Sequence, residues 1–186
     1  MDIQPVTAET LADFKRLMSC DVSSEKCRCM WFIKPVAKFH PDAASNNGKD
    51  FADLMKSEDR PLGLLAYDDA EPLGWRACGP RSRYVRAIRT PTYQGRESSE
   101  DQDVWLIPCL FVHPDARGRG LTYRLVAGAV DLAKASGAQA VEAFPYGVNI
   151  KQNKDTQVGF AQVFESAGFG VIRTPSKVRV VMRLDL

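Results

Sequence analysis

The chain has 186 residues, 45% hydrophobic and 26% charged, a balance that fits one domain able to bury a substantial core and makes a second full domain unexpected. Its 25 basic and 23 acidic residues leave a formal charge of +2, so no general nucleic-acid-binding field is implied. No apolar run approaches the ~20 residues of a membrane span, and Met1-Asp2-Ile3-Gln4-Pro5 lacks the pattern of a signal peptide. The odd set Cys20, Cys27, Cys29, Cys78 and Cys109 is unlike a secreted disulfide framework. The expectation is a cytoplasmic protein with reduced thiols and no membrane partner.

In chain order, the first expected element is a helix over residues 8 to 18, capped by Thr7 and marked by Leu11, Phe14, Leu17 and Met18 at helical spacing. The Cys-rich stretch 20 to 33 ends in Met30-Trp31-Phe32-Ile33 and is too short to decide between helix and strand. A second helix is expected near 48 to 57, with Asn46 or Asn47 as cap and Phe51, Leu54 and Met55 as its apolar stripe. Gly63 to Tyr67 and Pro72 to Cys78 then flank Asp68-Asp69-Ala70-Glu71, a polar turn of hairpin length. From Gly79 to Asp103 there is no clear period. This segment carries Arg81, Arg83, Arg86, Arg89 and Arg96, followed by Glu97, Glu100, Asp101 and Asp103. A loop this long and charged reads as mobile, either a substrate-facing lid or a solvated face.

Val104 to Val112 is a nearly continuous apolar run, expected as a central strand buried on both faces. Pro108 interrupts it and cannot donate to a ladder, which points to a bulge or a one-sided gap. The strongest helical period follows Gly120, with Leu121, Leu125, Ala129 and Leu132 on one face and Gly137 as the terminal left-handed residue. Ala138 to Phe144 reads as another buried strand, stopped by Pro145, and a helix is expected over Thr156 to Ala167 before Gly168. Val178, Val180, Met182 and Leu184 alternate with Lys177, Arg179, Val181 and Arg183 in a terminal strand with one buried face. This order makes a mixed α/β sheet with a right-handed parallel crossover across 104 to 144.

Arg117-Gly118-Arg119-Gly120-Leu121-Thr122 opens the best helix immediately after Val112-His113-Pro114-Asp115-Ala116. Glycines let backbone N–H groups turn toward a ligand. At a helix N-terminus those groups are unsatisfied by the helix and sit at its positive end, so they form an anion site to which Arg117 and Arg119 add charge. A diphosphate suits it, although a Gly-x-Gly beside two arginines is also compatible with a solvated turn. The P-loop ending Gly-Lys-Ser/Thr and the dinucleotide fingerprint of three spaced glycines are both absent.

Leu110-Phe111-Val112-His113-Pro114 followed by Arg117-Gly118-Arg119-Gly120-Leu121 resembles the signature of the GNAT superfamily of acyl-CoA N-acyltransferases. Phe164-Glu165-Ser166-Ala167-Gly168-Phe169 resembles its second landmark. The resemblance covers roughly residues 60 to 186 of a single domain, with 1 to 59 as a variable acceptor-side region. It implies an α/β fold whose central mixed sheet is flanked by helices and whose central strands splay apart. It implies acetyl-CoA as acyl donor, with the pyrophosphate on the amides from Gly118 to Thr122 beside Arg117 and Arg119, and the pantetheine arm along Leu110, Phe111 and Val112. The acceptor would be a primary amine of a small molecule or protein, in a pocket lined by Cys29, Trp31 and Phe32. A homodimer is compatible with it. Two positions depart from the pattern: Thr122 stands for the last glycine or alanine, and Phe164 for the tyrosine that serves many members as general acid. The departing thiolate must then take its proton from another group or from water.

Direct aminolysis of a thioester needs a neutral amine, a group that takes its proton, and N–H donors for the oxyanion. The strand N–H near Val112 is the candidate donor. Glu142, a carboxylate in the apolar run Ala140-Val141-Glu142-Ala143-Phe144, is the candidate base; the same residue could instead face solvent or pair with an arginine. Two other function classes compete. A non-catalytic acyl-CoA-binding sensor is favoured by Phe164, and nucleic-acid binding through the arginine loop would bring steep salt dependence and is not expected. Cys20, Cys27 and Cys29 with His40 have poor zinc spacing, since Cys-x-Cys is not the common Cys-x-x-Cys knuckle and no second pair follows, so no metal is expected. His113 reads as a turn residue, Trp75 and Trp105 as core.

Overall fold

The structure, a computed structural model, describes residues 1–39, 44–147 and 156–186. Along the chain run β1 (Asp2–Pro5), α1 (Leu11–Met18), α2 (Val22–Cys27), α3 (Ala44–Ser57), β2 (Gly63–Asp68), β3 (Glu71–Pro80) and α4 (Val85–Ile88). There follow β4 (Val104–Val112), α5 (Leu121–Ala135), β5 (Ala140–Ala143), α6 (Ala161–Glu165), β6 (Gly170–Arg173) and β7 (Val181–Asp185). The described strands form one sheet in the order β1-β2-β3-β4-β5-β7-β6. Neighbouring strands are antiparallel except β4 and β5, which the α5 crossover makes parallel.

A sheet whose middle strands are apolar on both sides must be covered on both sides. On one face Phe14, Leu17 and Met18 of α1 pack with Phe51 of α3 onto Leu65, Trp75 and Leu106. The Phe14 and Phe51 rings stack at 4.2 Å, and Trp75 meets Phe14 edge-on at 4.7 Å. On the other face Leu121, Leu125, Val126 and Ala129 of α5 and Phe164 of α6 cover Leu64, Trp105, Val141 and Met182. Trp75 and Trp105 are both fully buried, as the sequence reading has them.

Several boundaries differ from the sequence expectations. Helix α1 starts at Leu11 because the Thr7 hydroxyl turns to Glu9 and the Thr7 amide donates to the Thr10 hydroxyl at 2.8 Å, closing a separate turn first. Helix α3 begins at Ala44, so Asn47 is a helical residue and not a cap. Its buried side chain ties α3 to the preceding segment, donating to the Lys26 carbonyl at 2.7 Å and accepting from Lys34 Nζ at 3.0 Å. Part of 20 to 33 becomes α2, capped by Asp21, whose side chain accepts from Ser24 N. The helix expected over Thr156 to Ala167 is broken: a 3₁₀ turn at Thr156–Val158 ends at Gly159, with φ 78°, and α6 starts only at Ala161. Strand β1 and strand β6 are too short to carry a readable period, and β7 is confined to Val181–Asp185.

The largest correction concerns residues 79 to 103. They are not an irregular loop but a chain of short helical turns at Arg81–Arg83, Val85–Ile88, Pro91–Tyr93 and Ser98–Gln102. Tyr84, Ala87 and Tyr93 are buried in the core beneath them. The charges hold this segment down: Arg81 Nε donates to Asp101 at 2.6 Å, and Arg96 Nη2 to the same carboxylate at 2.7 Å. Arg83 donates to Glu58 at 2.7 Å and to the Cys78 carbonyl at 3.1 Å. These pairings make Arg81, Arg83 and Arg96 structural, while Arg89 is exposed.

Candidate functional site

The site grows out of one irregularity in β4. Ala77 stands opposite Cys109 but Gly79 stands opposite Leu106, so β4 carries one more residue than β3 across Ile107 and Pro108. Proline, with no N–H to give the ladder, sits where that bulge needs it. The parallel pairing of β4 with β5 ends at the same place, its last partners being Leu106 and Glu142. Beyond it β4 runs on to Val112 without β5, and its burial gives way at Leu110, Phe111 and Val112. The two central strands therefore part, as expected from the sequence.

The direction of the free backbone groups follows from the ladder. His113 N donates to the Leu73 carbonyl at 2.9 Å on the β3 side. Because alternate residues of a strand turn their amides to opposite sides, Cys109 and Phe111 share that direction while Leu110 and Val112 present N–H and C=O to the parting. The Val112 carbonyl is reached only by Arg117 Nε, at 3.4 Å, among the described residues. An extended chain laid in the parting would find the edge of a sheet.

At the far end of β4 the turn Pro114–Ala116 leads into α5. Gly118 and Gly120 adopt φ of 77° and 75°, and a Cβ built on either would meet nothing within 4 Å. Left-handed backbone here turns the loop so that its amides face outward. Among the described residues no acceptor takes the N–H groups of Gly118, Arg119, Gly120, Leu121 or Thr122, and Gly120 gives α5 no side-chain cap. The first helical bonds are Tyr123 N and Arg124 N to the Gly120 carbonyl, at 3.2 and 3.4 Å. Arg117 and Arg119 flank these amides and are exposed, so an open, cationic, hydrogen-bond-donating cradle stands in line with the parting. Gly74 lets α5 sit this close, since a Cβ there would lie 2.9 Å from Leu125.

Glu142 takes the course the sequence left as its alternative. It is 2% exposed, with Oε2 3.0 Å from Arg81 Nη1 and Oε1 3.4 Å from Arg183 Nη1. Both oxygens face guanidinium groups. Arg183 also reaches Glu100 at 2.9 Å and Asp185 at 2.7 Å. Its pKa is pushed up, first by the hydrogen bond to Glu100. Glu142 thus anchors β5 and β7 to the 81–103 segment.

Of the residues expected on the acceptor side, Cys29 lies in the core, where the Trp75 indole donates to its sulfur at 3.0 Å. Phe32 packs edge-on against Phe144 at 5.3 Å. Trp31 is 40% exposed with the Arg86 guanidinium 3.4 Å over its ring. Among the described residues no group of three or more His, Cys, Asp or Glu could hold a metal, and His40 lies outside them. No described helix is long and apolar enough to cross a membrane.

Two residues of this region escaped the sequence reading. Cys109, at the bulge, shares a hydrogen bond with the Cys29 thiol that holds it below its ordinary range, against burial and with help from the charge of Arg76. Arg76, on β3, has no exposure, and among the described residues none of its guanidinium nitrogens has a hydrogen-bond partner. Its Cζ lies 4.9 Å from the centre of the Phe164 ring, and its Nη1 3.8 Å from where a Cβ on Gly159 would be. Gly159 accepts from Tyr146 N at 3.0 Å, just past β5, so the guanidinium reaches from β3 to the turn that joins the end of β5. Burial pushes its pKa down to about 10, against the pull of Cys109, Cys78, Cys29 and Tyr84. The only signal in sequence is a lone arginine inside Leu73-Gly74-Trp75-Arg76-Ala77-Cys78.

A family model described as acetyltransferase (GNAT) family matches residues 27–164. No curated protein sequence matches the chain. Among solved structures, yncA from Salmonella typhimurium, with its cofactor acetyl-CoA, is similar at 15% identity and a TM-score of 0.61, covering 100% of this chain and 93% of that one. The ribosomal-protein-alanine N-acetyltransferase of Brucella melitensis is similar at 14% identity and 0.61, covering 100% of both chains. An N-acetyltransferase of Staphylococcus aureus Mu50 is similar at 14% identity and 0.58, covering 99% of this chain and 97% of that one. At these identities the likeness is one of fold.

Proposed function

This chain belongs to the acetyltransferase (GNAT) family, and from that premise we propose that it is an N-acetyltransferase moving an acetyl group from acetyl-CoA directly to a primary amine of a small molecule or protein. The observation that carries the reading is the cradle of unpaired amides from Gly118 to Thr122, in line with the free backbone of Leu110 and Val112. A diphosphate accepts hydrogen bonds from such amides and is held by the positive end of α5 and by Arg117 and Arg119. The free edge of β4 pairs with the amide groups of a pantetheine arm, with Phe111 beside it. When bound, acetyl-CoA supplies an acyl group activated as a thioester. The Leu110 or Val112 N–H then donates to the acyl oxygen as negative charge grows there. Glu142, engaged by two arginines, takes no proton in this reading, and the amine gives its proton to water. Trp31 and Phe32 border the acceptor side, while Cys29 supports that wall from within.

The test is titration calorimetry with acetyl-CoA on the wild type, Gly120→Ala and Gly120→Glu. Both variants meet the same positive φ, but only the glutamate sets a carboxylate among the amides. Like-charge opposition costs several kcal/mol, so Gly120→Glu loses at least about 100-fold in affinity relative to Gly120→Ala. Equal affinities would put the cofactor elsewhere. A non-catalytic acyl-CoA-binding module remains the second reading, favoured by Phe164, whose ring has no proton to give. Labelled acetyl-CoA with a panel of amines separates the two: binding without transfer selects the module.

A further inference from the structure

A buried guanidinium with no hydrogen-bond partner is rare, because its desolvation goes uncompensated. Among the described residues Arg76 is such a group, and its place is specific: over the Phe164 ring and against Gly159, whose carbonyl is tied to Tyr146 just past β5. Arginine fits a diffuse anion, with several N–H groups in a fixed plane and a charge that survives burial. We propose that Arg76 is a catalytic residue that stabilises the negative charge developing on the CoA sulfur during acyl transfer, so that CoA leaves as a thiolate. This rests on the acyl-CoA reading above.

In the step so described, the amine nitrogen bonds to the acyl carbon and loses its proton to water. The carbon–sulfur bond breaks with its electron pair passing to sulfur. Sulfur needs no proton at that moment, because the guanidinium balances its charge, and CoA takes a proton from water after it leaves. A hydroxyl at the position of Phe164 is then unnecessary. The ring instead holds the guanidinium plane by a cation–π contact. The titratable groups around Arg76 are the thiols of Cys109, Cys78 and Cys29 and the phenol of Tyr84. They change little between complexes of CoA and of acetyl-CoA, which differ only at the sulfur.

The experiment measures protons released on binding, by calorimetry at neutral pH in buffers of different ionisation enthalpy, with CoA and acetyl-CoA as the two ligands. A free thiol ionises near ~8.5, so wild-type protein that holds the thiolate releases close to one proton more with CoA than with acetyl-CoA. Arg76→Met abolishes that difference, and Arg76→Lys, with its charge on a shorter reach, keeps part of it. In turnover Arg76→Met lowers kcat by about 100-fold with little change in KM, the pattern of a group acting on charge formed only in the transition state. Equal proton release for the two ligands in the wild type overturns the assignment while leaving the acyl-CoA reading intact. Failure of the wild type to bind either ligand defeats that reading and this assignment together. The wild-type comparison decides the matter even if a variant does not fold.

Discussion

Replacing Arg76 by methionine is expected to make the protein more stable. The guanidinium has no exposure and, among the described residues, no hydrogen-bond partner, and burial drives its pKa from the ordinary arginine value down to about 10. Each unit of such a drop is about 1.4 kcal/mol, so the charged form carries a penalty of about 3 kcal/mol in the folded state. The Phe164 contact returns about 1–2 kcal/mol, and a methionine of similar length keeps some of that through sulfur–ring attraction of about 1 kcal/mol. The net gain is about 1–3 kcal/mol, or a Tm raised by roughly 2–12 °C for a chain of this size. The pH dependence follows from the sign. A base whose folded pKa lies below its unfolded value burdens the fold at all pH below about 10 and less as pH rises past it. The two proteins should therefore differ by a constant amount through neutral pH and converge in strong alkali. Urea unfolding of wild type and variant at neutral pH and above pH ~10 reads this directly. A variant less stable than wild type by more than about 1 kcal/mol would mean that the guanidinium is compensated within the fold, and the reasoning from its isolation would be wrong.

Glu142→Gln removes one of the carboxylates facing Arg81 and Arg183, which keep Asp101, Glu100 and Asp185, and should cost about 1–3 kcal/mol in urea unfolding, the worth of a buried charge-assisted hydrogen bond. A loss below about 1 kcal/mol would show the network to be dispensable. Asp101 is held below its ordinary range: burial pulls it up, but hydrogen bonds from Arg96 and Arg81 outweigh that. Its stabilising effect is present above about pH 4 and is lost as pH falls through its lowered value, so Asp101→Asn should flatten the acid limb of the stability curve, read by thermal melts from neutral pH downward. Cys20 is exposed whereas Cys78 is buried, its thiol pushed up to about 12 by burial. A thiol reagent at neutral pH should label Cys20 in seconds to minutes and Cys78 only on unfolding, as peptide mapping would reveal.

The sheet's centre was legible because its signals are local. The apolar run Val104–Val112 with Pro108, and the period Leu121, Leu125, Ala129 after Gly120, each answer to one element's own geometry. The phosphate cradle was legible for the same reason, since loop and helix are contiguous. What sequence could not supply was pairing across distance. Arg81 and Arg83 look solvated one at a time, and become structural only when Glu142 and Glu58 arrive from other elements and Asp101 folds back from the far end of the same segment. Arg76 was unreadable on the same ground, because its isolation depends on what β4, Gly159 and Phe164 do not offer. Asn47 reads as a cap because its type suits one, but the acceptor that claims it is the Lys26 carbonyl in α2.

The extra residue at Ile107–Pro108 has a consequence for the length of β4. Before it the strand is in phase with β5, and after it the strand keeps phase only with β3. Parity, and not side-chain chemistry, decides which amides are spent on the ladder and which stay available. Deleting either residue would shift the outer half by one step, turning the amides of Cys109 and Phe111 toward the parting and those of Leu110 and Val112 back to β3. Their side chains would exchange faces at the same stroke. Each residue of β4 is replaceable within limits, but their number is not.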